Sequence, residues 1–282
     1  MSSAVLSTYA LDPALPVLLR PDGAVQVGWD PRRAVLVRPP GGLAAAELAT
    51  LLRSMWSPTP LSELQRRALD RGLTDAGGLT SLVAQLVGAG VVTECGRPRG
   101  RSASVRIHGR GPLSDLLAEA LRCSGARIKR SSQPHAVVTA VDLVVLSDYL
   151  VADPRMVRDL HSQRVPHLSV RVRDGAGLVG PLVIPGVTSC LGCADLHRRD
   201  RDAAWPAVAA QLRDTVGTAD RATLLATTAL ALSQVHRVIG AVLGSPTPDP
   251  EPPPALNATL EFDIHAGSIV ARHWARHPLC SC

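Results

Sequence analysis

The chain has 282 residues, 46% hydrophobic but only 2% aromatic, so its core must be built from Leu, Val, Ala and Ile and is large enough for one big or two modest domains. A formal charge of +6 with high apolar content excludes long disordered stretches. The excess of base argues only weakly for nucleic acid, because every basic residue except Lys129 is arginine, the skew that a GC-rich coding sequence imposes.

Six cysteines are too few for a disulfide scaffold. The opening MSSAVLSTYALDP lacks the basic region and long apolar run of a secretory signal. The most apolar later run, Ala222 to Val235, is 14 residues long, short of the roughly 20 that span a bilayer. The expectation is a soluble, cytoplasmic protein with reduced thiols, no membrane span and no nucleic acid.

Residues 1–97 read as a small α+β module. AVQVGWDP and AVLVRPP alternate like a hairpin joined at Asp30–Arg33. Leu43–Met55, LSELQRRALDRG and GGLTSLVAQLVGAG carry leucines at helical spacing, and VVTE reads as a return strand. Three short helices with a hairpin outline a winged helix. Its third helix offers Gln85 but no basic residue, a poor recognition helix for DNA and a better fit to a peptide ligand. A generic small α+β domain has the same outline. The polar, Arg-rich residues 98–104 read as a linker.

Residues 105–282 alternate strands and helices, the pattern of a mainly parallel sheet covered on both faces. SVRIHGRGPLSDLLAEAL runs strand, glycine turn, helix. Gly109 and Gly111 match the first two glycines of a nucleotide-binding turn, whereas the third position is Ser114. No acid follows in KRSSQPHAVVTA, where a Rossmann fold places its ribose acceptor. Asp148 ends the strand VDLVVLS and reads either as a metal-nucleotide ligand or as a strand-end cap.

Cys190-x-x-Cys193 and Cys280-x-Cys282 bring four thiols in two close pairs, the composition of a tetrahedral structural zinc site. A redox pair is the alternative. His197, His273 and His277 could substitute as ligands or stand as ordinary histidines nearby.

The order of these parts, a βαβ glycine turn, IPGVTSCLGC, LHRRDRDAAWPAVAAQL, a long Ala/Leu helix, a hairpin and HPLCSC, resembles the ThiF/MoeB-like superfamily of ubiquitin-activating-type folds. More narrowly it resembles an actinobacterial branch related to the partner subunit of azoline-forming cyclodehydratases. There a winged-helix element that recognises leader peptides precedes a ThiF-like domain. The resemblance implies a Rossmann-like fold with structural zinc, a peptide or protein substrate, a partner modifying enzyme and a homodimer.

Active members adenylate a carboxylate with ATP. They use a fuller glycine loop, a ribose acid and an N-L-x-R-Q-like segment, all of which this chain lacks. Pro112 also removes a backbone donor from the turn. The implied reading is a scaffold with an eroded nucleotide site at Gly109, Gly111 and Asp148 and no catalytic residue. The alternative is a working adenylyltransferase, with Cys123 as a candidate thioester acceptor.

Overall fold

The structure is a computed structural model that describes residues 7–95, 102–133, 141–243 and 252–282, with the side chain of Cys123 left aside. The linker expected at 98–104 thus falls largely outside the described residues. So do most of residues 129–140, where a Rossmann fold places its ribose acid, and the side chain of the candidate acceptor Cys123. The chain divides into two compact units, one holding the first 99 residues and the other nearly all of the remainder.

The first unit begins with β1 (Thr8–Leu11), followed by β2 (Val17–Leu19), β3 (Val25–Val27) and β4 (Val35–Val37). Then come α1 (Ala45–Ser54), β5 (Thr59–Pro60), α2 (Leu61–Leu69), α3 (Ala76–Gly88) and β6 (Val92–Cys95). The expected hairpin is β3–β4, extended by β2 into an antiparallel meander. A second small sheet has the strand order β5–β1–β6. Alternation decides the faces: Val25, Val27 and Val37 point into the core with Leu48, Leu52 and Met55 of the α1 segment. The Asp75 carboxylate caps α3 by accepting from the Gly77 amide at 2.9 Å.

The second unit is a seven-stranded sheet. In chain order it comprises β7 (Ser104–His108), α4 (Pro112–Ala120), β8 (Arg127–Ser131), β9 (Leu143–Ser147), α5 (Pro154–Ser162), β10 (His167–Arg173) and β11 (Ala176–Val183). α6 (Leu191–Arg201), α7 (Trp205–Leu212), α8 (Arg221–Leu243), β12 (Ala258–Asp263) and β13 (Ser268–His273) follow. The spatial order is β13–β12–β11–β10–β9–β7–β8. Four of the seven strands, β8, β7, β9 and β10, run parallel; β11, β12 and β13 extend the sheet by antiparallel pairing. Strands β7 and β9 are buried along their whole length, as helices on both faces of a parallel sheet require.

Helix α8 runs 23 residues, well beyond the 14-residue apolar run, and is long and apolar enough to cross a membrane by length and composition. Instead it lies against β10, β11 and α4, burying Thr223, Leu224, Thr227, Ala231 and Val235. Thr223 Oγ1 donates to the Asp220 carboxylate just before the helix at 2.6 Å, and the other two buried hydroxyls are satisfied within it. Thr227 Oγ1 donates to the Thr223 carbonyl at 2.7 Å and Thr228 Oγ1 to that of Leu224 at 2.8 Å. A glycine in β11 makes the contact close, since a Cβ at Gly177 would lie 2.0 Å from Thr227 Oγ1.

Candidate functional site

The glycine turn joins β7 to α4. Ser114 and Gly111 hold it shut: Gly111 N donates to Ser114 Oγ at 3.1 Å, and Ser114 Oγ donates to the Gly111 carbonyl at 2.8 Å. The N-terminus of α4 presents free amides and the positive end of a helix dipole, the natural seat for an anion. That seat is taken. Asp148, 1% exposed, places its carboxylate there, accepting from Leu113 N at 2.9 Å and from Ser114 N at 3.2 Å.

Both glycines are explained by close approach of Ser147 and Asp148. A Cβ on Gly109 would come within 2.4 Å of Ser147 Oγ and 2.8 Å of Asp148 Oδ2. One on Gly111 would come within 2.7 Å of Asp148 Oδ1. Asp148 itself sits in the left-handed region at φ 73°, while the next residue, Tyr149, bridges to Val216. Burial raises its pKa above the usual carboxylate value, and hydrogen bonds from Ser114 and the Leu113 amide only partly offset that. Gly109, Gly111 and Asp148 therefore meet in space, but the contact is among themselves.

The four cysteines also converge. Cys190 caps α6, its Sγ accepting from Cys193 N at 3.4 Å. The segment after β13 then brings Cys280 and Cys282 back. Cys190 Sγ lies 3.5 Å from Cys280 Sγ and 3.8 Å from Cys193 Sγ, and Cys193 Sγ lies 3.4 Å from Cys282 Sγ. All four sulfurs lie within 4.8 Å of one another. A disulfide would hold two of them at about 2.05 Å. A tetrahedral ion with bonds of about 2.3 Å spaces its sulfurs about 3.8 Å apart. The cluster can hold a metal ion such as zinc.

Electrostatics point the same way. Burial pushes the Cys190 thiol up, and takes Cys282 to about 11 with help from its hydrogen bond to Cys193. At Cys193 burial also acts upward, but backbone hydrogen bonds at Cys190 and His277 and the neighbouring thiols outweigh it, leaving that group at about 7. Four crowded thiols cannot all ionise without a cation among them.

His277 fastens the returning segment, and together with His197 and Asp200 it forms a second group of possible metal ligands. Its Nδ1 accepts from Leu279 N at 3.1 Å, so the proton is assigned to Nε2, which donates to Asp200 Oδ2 at 2.7 Å. That bond from His277 holds the Asp200 carboxyl below its usual value. His197 Nε2 meets the Ala275 carbonyl at 3.1 Å, and its ring lies edge-on to His277 with centroids 4.8 Å apart. His273 is exposed at the end of β13. Sequence alone could not pair His277 with Asp200, since 77 positions separate them.

No protein-family model matches the sequence, and no curated protein does. Among solved structures the chain is similar to a heterocyclase in complex with substrate and cofactor, at 15% identity and a TM-score of 0.67, over 98% of this chain and 39% of that one. It is similar to the heterocyclase TruD at 16% identity and a TM-score of 0.65, over 98% and 42% of the two chains. MccB of E. coli with MccA-N7isoASN gives 14% identity and a TM-score of 0.59, over 97% and 99%. The chain thus spans about two-fifths of the length of the two heterocyclases and nearly all of MccB. At such identities the likeness is one of fold.

Proposed function

We propose that this protein is a ThiF-like, peptide-binding scaffold that serves a peptide-modifying enzyme of the cyclodehydratase type. In this reading its adenylation site is closed, and zinc on Cys190, Cys193, Cys280 and Cys282 is structural. The observation that carries it is the Asp148 carboxylate in the α4 anion seat. A phosphate entering there would meet a buried negative group instead of free amides.

Peptide capture falls to the first unit, which in this reading is a winged-helix-like recognition element. β4 is an edge strand of its meander. Leu18, Gln26 and Leu36 lie in one cross-strand row on the outer face, with Leu18 38% and Leu36 53% exposed. An extended peptide added to β4 gains main-chain bonds there and sets its register on these side chains. The reading keeps the protein in the cytoplasm with reduced thiols and as a homodimer, which sedimentation checks.

The second reading, an adenylyltransferase acting on a peptide or protein carboxylate, is favoured by the convergence of Gly109, Gly111 and Asp148. ATP–pyrophosphate exchange across a peptide panel separates the two. The scaffold reading expects no exchange, and exchange above background overturns it. Peptides selected from a display library are expected to shift the amide resonances of Val35–Val37 and to bind at least tenfold more weakly to Leu36→Asp. Selected peptides that ignore this change remove the β4 assignment.

A further inference from the structure

Within the second unit, α7 has the apolar sequence WPAVAAQL yet buries none of its residues. Beneath it lies a cavity of about 700 Å³, walled by α5, the outer part of β10 and the α6–α7 segment. That volume suits a small organic ligand. Its lining holds seven arginines against two aspartates.

Some of this charge is already satisfied. Arg198 bonds Asp195 at 2.8 Å and lies over the rings of Trp205 and Trp274, with 5.2 and 4.9 Å to their centroids. Trp205 Nε1 donates to the same carboxylate at 3.3 Å, which fixes the elbow between α6 and α7. Three lining arginines, Arg158, Arg171 and Arg201, make no ion pair with any described carboxylate. Arg171 rises from the sheet itself, half-buried, and among the described residues its guanidinium donates only to the Ser169 hydroxyl. Burial, with Arg198 nearby, holds Arg171 down at about 10 despite the opposing pull of Asp195.

Uncompensated guanidinium groups around a concavity call for an anion, and arginine presents the fork that matches phosphate and carboxylate oxygens. One carboxylate supplies a single charge. A di- or triphosphate supplies several, enough to meet three arginines together. The apolar side of the cavity, from Leu150, Leu191, Leu212 and Trp205, leaves room for an organic body. We infer that this cavity binds a small di- or triphosphate through Arg158, Arg171 and Arg201, with its organic part under α7. The site is separate from the glycine turn, none of whose residues lines it.

The test is calorimetric titration of the full chain with inorganic pyrophosphate and, separately, with a nucleoside triphosphate without added magnesium. Saturable binding of either ligand is expected, weakening at least tenfold in Arg158→Gln/Arg201→Gln, whose side chains are exposed and whose loss leaves the core intact. Arg171→Gln is expected to weaken it further, and circular dichroism confirms that the variant is folded. Tighter binding of the ester assigns the organic source. Equal affinity assigns free polyphosphate and keeps the arginine site. Absence of saturable binding to the wild type overturns the inference, as does unchanged affinity in the double variant.

Discussion

Asp148 ties three oddities together: two glycines, a serine where a third is expected, and a left-handed aspartate. Its raised pKa gives a signed expectation. The folded state holds the Asp148 proton more tightly than the unfolded chain, whose value is near 3.8. The stability it contributes is therefore fully present below that value and is lost as pH rises through the folded pKa. Asp148→Asn keeps an acceptor for Leu113 N but cannot ionise. The melting temperature of the wild type relative to Asp148→Asn should fall as pH rises above about 4; a constant difference would mean that the carboxylate carries no burial cost. His277→Ala should lower metal retention without removing any of the four cysteines, because Leu279 N and Asp200 lose their shared partner. Metal analysis after dialysis against a weak chelator reads that effect.

At the scale of elements, the contact of α8 with β11 depends on Gly177. Gly177→Ala drives a Cβ to 2.0 Å from Thr227 Oγ1 and 3.1 Å from its Cβ, and should cost about 1–3 kcal/mol by overpacking. Thr227→Ala removes the nearer atom, so the double variant should recover part of that loss in a denaturant melt; strict additivity would show that the two do not meet. The same strand shows where sequence reading stopped. The strand VDLVVLS and helices α4 and α8 were legible because an apolar strand run and helical periodicity mark them. β11 was not, because AGLVGPLV carries two glycines and a proline that mark a strand interior as a loop. β2 was missed as well, since three residues after a proline give no period to count. The four cysteines were legible as a site by composition alone. The arginine cavity was not, because its walls come from residues between Leu150 and Arg272 that only the fold brings together.

For the whole molecule, the four-cysteine cluster joins positions 90 apart in the chain. Closing a loop of that length costs roughly 4 kcal/mol of chain entropy, which a structural metal readily offsets. One equivalent of zinc per chain is expected from elemental analysis. Chelation, or Cys280→Ser with Cys282→Ser, should lower the melting temperature of the second unit and leave the circular dichroism of the isolated first unit unchanged. Full retention of stability with the metal removed would make the cluster incidental.

The clamp also has a mechanical consequence. With the metal bound, α6 through β13 form a closed loop between Cys193 and Cys280, so tension applied at the two ends of the chain bypasses it. A single-molecule pulling trace should therefore show a hidden contour length of roughly 300 Å, released in one step when the metal–sulfur bonds rupture and absent after chelation.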